Sequence, residues 1–303
     1  MDSAEQERET RTGIGFALAA YITWGVAPVY FMLVDFATPA EIIAHRIVWS
    51  VLVLGALILL RRQLYALRHL DARKVRWLAV SGGLVAMNWG IFVWALHNGR
   101  MLETSLGYYI NPLVNMLLGG LFLGERLRGW QKMAVALAGA GVINEVVSVG
   151  VLPWAGLTLA FTFGFYGLVR KKLAVDATVG LAVETTLMLP VAIGYLCVLT
   201  LAGQGSLASG DSSQLTLLAL GGIVTVFPLV CFAAAALRLP LTVLGFFQYL
   251  APTITGVLAV TVYGEALTVS RMVTFGCIWL ALAVFSAEGL YQQGRARRLQ
   301  SVS

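Results

Sequence analysis

Apolar runs of about twenty residues recur along the whole chain, broken by single polar side chains and separated by short segments rich in Arg, Lys, Asp and Ser. A hydrocarbon core about 30 Å thick takes about 20 residues of helix to cross. The pattern therefore predicts ten transmembrane helices, at residues 13–33, 42–60, 77–97, 104–123, 131–148, 153–169, 178–202, 214–237, 240–262 and 271–291. The runs are long and continuously apolar, with no alternation in short segments, which indicates helices rather than a β-barrel.

Composition agrees with an all-α integral membrane protein. Hydrophobic residues make up 59% of the chain and charged residues 12%, with a mean hydropathy of +0.82. That leaves too few polar groups to cover a soluble fold. Cytoplasmic loops of membrane proteins retain Lys and Arg. With the N-terminus inside, eighteen of the 21 basic residues fall on the inner side, Arg100 and Arg271 fall outside, and Arg46 lies within a span. Both termini are therefore expected in the cytoplasm. The net charge of +6 follows from this topology. Its basic residues are dispersed over loops, so no nucleic-acid partner is expected. The densest cluster, RRQLYALRHLDARKVR at 61–76, suits anionic lipid headgroups. The first ten residues, MDSAEQERET, are acidic and lack the basic start of a secretory signal, so the first run is expected to stay as a helix. Cys197, Cys231 and Cys277 lie apart inside apolar runs, as buried small hydrophobes do.

Internal self-similarity is present. Tyr109-Ile110-Asn111-Pro112 followed by Gly124-Glu125 is echoed by Tyr249-Leu250-Ala251-Pro252 followed by Gly264-Glu265, displaced by 140 positions. Thr23-Trp24-Gly25 is echoed by Thr162-Phe163-Gly164, displaced by 139. The reading is a duplication: a tail at 1–12, repeats at 13–148 and 149–291, and a tail at 292–303. Each repeat holds five spans, an odd number, so the second copy is expected to be inverted in the bilayer, as in many secondary transporters. Pro112 and Pro252 then lie near mid-membrane, where a missing N–H frees a carbonyl and allows a helix to bend. Static kinks with packing tyrosines are the alternative.

Few polar side chains sit inside the spans, and each needs a reason. Arg46 costs several kcal/mol there unless it meets water, a partner or a substrate. It attracts a carboxylate, balances Glu184, or snorkels to the headgroups. Glu184 is read as an ion partner, a proton carrier or an interfacial acid. Asn88, Asn111 and Asn115 suit either interhelical hydrogen bonds or substrate contact. Trp24, Tyr108, Tyr109, Tyr166, Phe247, Gln248 and Tyr249 would complete an aromatic, partly polar cavity; each is equally suited to packing. Gly120-x-x-x-Gly124 and the GAGV run at 139–142 allow close helix approach, within the chain or in a homodimer. No P-loop, HExxH, serine-triad spacing or Cys/His metal cluster occurs, so neither a cofactor, a metal nor an enzymatic activity is expected.

These stretches resemble a known family. LAAYITWGVAPVYF at 18–31, EIIAHRIVWS at 41–50, MLETSLGYYINPLVN at 101–115 with FLGER at 122–126, FYGLVRKK at 165–172 and LGFFQYLAPT at 244–253 with YGE at 263–265 are similar to the EamA family of the drug/metabolite transporter superfamily. The resemblance covers nearly the whole chain. It implies a bacterial inner-membrane carrier of two inverted five-helix repeats that moves a small-molecule substrate, metabolite or drug, by alternating access. The substrate-binding set expected from depth and polarity is Trp24, Arg46, Asn88, Tyr108, Tyr109, Asn111, Tyr166, Glu184, Gln248 and Tyr249, with Pro112 and Pro252 as gating kinks. A lipid or lipid-precursor flippase is the main alternative; a channel is another.

Overall fold

The computed structural model describes residues 3–98, 101–150, 154–262 and 269–300, all of whose regular elements are helical. In chain order they are α1 (Ser3–Leu33), α2 (Pro39–Leu60), α3 (Leu64–Arg68), α4 (Ala72–His97), α5 (Met101–Leu123), α6 (Gly129–Val149), α7 (Trp154–Leu173), α8 (Ala177–Leu201), α9 (Gly205–Ser209), α10 (Ser212–Arg238), α11 (Leu241–Gln248), α12 (Leu250–Thr261) and α13 (Val269–Gln300). Each apolar run of the sequence contains a helix at the expected place, and α3 and α9 are short loop helices. Five segments among the described residues are long and apolar enough to cross a membrane: Glu5–Leu33, Pro39–Leu60, Ala177–Leu201, Ser212–Arg238 and Leu241–Leu258.

Helix starts follow local chemistry. Thr38 caps α2 by accepting the Glu41 N–H at 3.3 Å, with Pro39 in the first turn, where a missing N–H costs nothing. Asp176 accepts the Thr178 and Val179 N–H groups at 2.9 and 3.1 Å and starts α8. Two differences from the sequence reading stand out. The residues taken as a tail are helical from Ser3, so α1 begins well before the apolar run. The ninth run is divided, because Pro252 has no N–H to offer the Gln248 carbonyl and α11 ends at Gln248. Pro112, by contrast, sits inside an unbroken α5.

The packing has an internal regularity. Pair α1 with α7, α2 with α8, α4 with α10, α5 with α11–α12, and α6 with α13. Under that exchange the contact of α1 with α10 becomes that of α7 with α4, α2 with α10 becomes α8 with α4, and α1 with α12 becomes α7 with α5. The contacts α2·α8, α5·α11 and α6·α13 map onto themselves. Individual residues obey it too. A Cβ on Gly25 would stand 2.7 Å from Cβ of Ile254, and one on Gly164 would stand 2.8 Å from Cγ1 of Val114. These two notches are displaced from each other by 139 and 140 positions, the offsets of the sequence echoes. The larger apolar core gathers Tyr21, Leu54, Leu78, Tyr166, Phe232 and Leu244 from α1, α2, α4, α7, α10 and α11. Within the GAGV run, a Cβ on Gly141 would stand 3.1 Å from Cys277 on α13, so this small-residue segment serves a contact inside the chain.

Candidate functional site

Where α5 crosses α11, the apolar interior carries amides. Asn115, fully buried, donates its Nδ2 to Oε1 of Gln248 at 2.5 Å. It has room because α7 presents Gly164 and Gly167 there. Tyr21 of α1 comes against Gln248 from the third side. Nearby on α5 and at the α11–α12 junction, Asn111 Oδ1, Asn115 Oδ1 and Tyr249 Oη are buried without a hydrogen-bond partner. A buried polar atom in that state costs about 1–3 kcal/mol, so this region holds acceptors and a hydroxyl that water or a polar solute would satisfy. Gln248 is also the residue whose carbonyl Pro252 leaves free, which places the helix break beside the amide pair.

One charged site is closed. Arg170 and Glu184, each with 1% of its side chain exposed, face each other at 3.5 Å through Nη1 and Oε1. This is an ion pair without hydrogen-bond geometry, and Nε of Arg170 has no partner. Nη2 of Arg170 donates to the Ala177 carbonyl at 3.2 Å. Glu184 accepts from the Ser81 hydroxyl and, at 3.4 Å, from Tyr166. Gly180 makes room for the guanidinium, since a Cβ there would overlap it. The sequence reading placed Arg170 among loop charges and offered Arg46 as the balance for Glu184. Both are corrected: Arg170 is buried and is the partner. The signal present in the sequence was its place at the head of the Arg170-Lys171-Lys172 run, one turn from where the span ends.

Arg46 is half-buried in a different setting. Its Nε donates to Thr225 Oγ1 at 2.7 Å, and its guanidinium carbon lies 5.0 Å from the Trp89 ring centre and 5.4 Å from that of Phe31. The other expected site residues separate into two kinds. Trp24 packs in an aromatic group with Tyr21, Phe163 and Phe232, with ring centres 5.4–5.9 Å apart. Asn88 clasps α4 to α7 through the Leu159 carbonyl and Thr162 hydroxyl, both at 2.9 Å. Tyr109 turns toward α13 and meets Phe275 edge-on at 6.0 Å, whereas its neighbour Tyr108 is 52% exposed beside Phe92 of α4. The structure thus joins Asn115 to Gln248 and Tyr166 to Glu184, and sets Arg46 apart from both.

One end of the bundle is laced shut where α10 turns into α11. Glu125 accepts the Leu241 and Thr242 N–H groups at 2.7 and 2.8 Å, capping α11 with a carboxylate where the helix dipole favours one. Gly124, at φ +65°, provides the left-handed turn that ends α5 and folds Glu125 back. Lys171 donates to the Ala236 carbonyl at 3.1 Å and to the Leu239 carbonyl, and lies within electrostatic reach of Glu125. Arg61 bonds Thr178 at 3.1 Å, and Arg238 pairs with Glu9 at 2.9 Å. The sequence reading used Gly124-Glu125 as a repeat echo and within the FLGER family motif and gave Glu125 no task; an acid directly after a glycine at a span end was the available signal. Its echo, Gly264-Glu265, lies outside the described residues.

These features define a multi-pass helical membrane protein with a polar crossing in its interior. Residues 11–144 match the EamA-like transporter family. The chain is 47% identical to Protein RarD of Escherichia coli (strain K12) over 96% of its own length and 99% of that protein's. It is also 47% identical to an uncharacterized transporter of Vibrio cholerae serotype O1, covering 96% and 97% of the two chains. A crystal structure with 20% sequence identity superimposes with a TM-score of 0.70 over 90% of this chain and 96% of that one, which bears on the fold alone. The chain belongs to the RarD group of the EamA-like transporter family.

Proposed function

We propose that the chain is a secondary active carrier of the bacterial inner membrane, an exporter or exchanger of small metabolites or drugs. In this reading ten helices cross the bilayer as two inverted five-helix repeats, with both termini cytoplasmic. The observation that carries it is the exchange regularity of the packing. The main contacts of one half have counterparts in the other, as in carriers whose two halves exchange conformations between inward- and outward-facing states. The end laced by Glu125, Lys171 and Arg61 is then the cytoplasmic end, and the described conformation is closed to the cytoplasm. The Asn115–Gln248 crossing, near the bilayer centre, is where the solute would sit, with the break at Tyr249 and the proline in α5 as flexible points. Substrate binding need supply only a few kcal/mol of difference between the two states to shift their populations.

The test combines topology with access. Epitope tags at both ends, read in intact and opened spheroplasts, should be protected together. In a cysteine-free background Tyr108→Cys should react with an impermeant maleimide from the periplasmic face, and should become protected when Glu125→Ala unlocks the opposite end. Termini on opposite faces, or simultaneous access from both faces, would sink the reading.

A further inference from the structure

Arg46 and Glu184 occupy matching places in the two halves. Arg46 on α2 lies against Phe31 of α1 and beside Gly221 of α10; Glu184 on α8 lies against Arg170 of α7 and Ser81 of α4. Phe31 and Arg170 are displaced by 139 positions and Ser81 and Gly221 by 140, while the two charges are displaced by 138. Glu184 finds its countercharge within the chain, because the residue matching Phe31 is an arginine. Arg46 does not. The ion pairs among the described residues join Arg11 to Glu7, Arg170 to Glu184 and Arg238 to Glu9, and none involves Arg46.

What surrounds Arg46 suits a ligand rather than a structural pair. Trp89 and Phe31 set their rings against the guanidinium carbon at 5.0 and 5.4 Å, cation–π contacts that use none of its N–H donors. Thr225 takes Nε, and among the described residues Nε alone of the three guanidinium nitrogens makes a hydrogen bond. Gly221 gives space to the Tyr30 hydroxyl and to the Arg46 stem. Both Tyr30 and Tyr108 lie within electrostatic reach of the cation. Tyr108 itself is 52% exposed.

We infer that the Arg46 cage is an anion-binding site that takes the carboxylate of a small solute with an aromatic or apolar body. This rests on the carrier reading above. The two edge nitrogens form a bidentate pair of charge-assisted hydrogen bonds with the carboxylate, and Trp89, Phe31 and Tyr108 bury the body. The incoming charge compensates Arg46 as Arg170 compensates Glu184.

Binding is measured on the full chain in nanodiscs, by thermal shift and calorimetry, with sodium phenylacetate and the isosteric neutral phenylacetamide at matched ionic strength. Phenylacetate should stabilise the protein and phenylacetamide should not. Arg46→Gln should weaken phenylacetate binding by about tenfold or more, and Arg46→Lys, which keeps the charge without the planar fork, should weaken it less. Equal responses to the two compounds, including no response to either, overturn the site even if the glutamine variant fails to fold. The outcome is separable from that of the carrier reading. Carboxylate-selective binding with no change in sided access would keep the site and discard the carrier, and sided access without selectivity would do the reverse.

Discussion

Arg170 and Glu184 face each other 3.5 Å apart in the interior, each with 1% of its side chain exposed. Removing one partner of such a pair leaves an uncompensated charge, at a cost of about 3–5 kcal/mol, whereas removing both is far milder. Glu184→Gln and Arg170→Met should each lower stability by that order, and the double variant should recover most of the loss. Denaturant unfolding in detergent measures it. Simple addition of the two single losses would show that the pair is not coupled.

The two glycine notches predict different rescue. Gly164→Ala and Gly25→Ala should each cost about 1–3 kcal/mol by overpacking. At Gly164 the nearest obstruction is Cγ1 of Val114, which Val114→Ala removes, so that pair should regain stability. At Gly25 the nearest obstruction is Cβ of Ile254, which alanine keeps. Ile254→Ala should therefore fail to rescue Gly25→Ala. Melting temperatures of the four single and two double variants decide it.

Glu125→Ala leaves the Leu241 and Thr242 N–H groups without their acceptor. Losing a helix cap costs about 1–2 kcal/mol, and here the cap joins α5 to α11. The expected result is a modest fall in melting temperature with faster labelling of Thr242→Cys from the side where α10 meets α11. Glu125→Gln, which keeps one acceptor, should lie between. Unchanged labelling would show that the cap does not hold that end closed.

Pro252→Ala would supply an N–H to the Gln248 carbonyl and join α11 to α12. A proline costs about 3 kcal/mol in a helix interior, so the melting temperature should hold or rise while tracer counterflow in proteoliposomes slows. Pro112→Ala should slow counterflow less, because α5 already runs unbroken through that position. Counterflow unaffected by Pro252→Ala would remove the break from the mechanism.

Much of the architecture was legible from residue order. Crossing lipid obliges every backbone group to bond within its own segment, so run length and apolarity suffice to place helices, and α2, α8 and α10 begin within three residues of the expected positions. The echoes at 139 and 140 positions survive as mirrored contacts because residues such as Gly25 and Gly164 are small for a geometric reason. Less was legible at the site. Two adjacent tyrosines are the same letter, yet Tyr109 is sealed against Phe275 and Tyr108 is open, a distinction of helix face set by α4 and α13.

The sequence by itself determined that the chain is helical, belongs in a membrane and repeats its own pattern, because those properties depend on short-range composition and fixed spacing. Only the tertiary structure decided which charges meet. Arg170 heads three consecutive basic residues, a place that hints at burial but names no partner; folding turns it inward onto Glu184, 14 positions away on the next helix. Pairing of buried charge is a matter of distance across helices, which spacing along a chain does not encode.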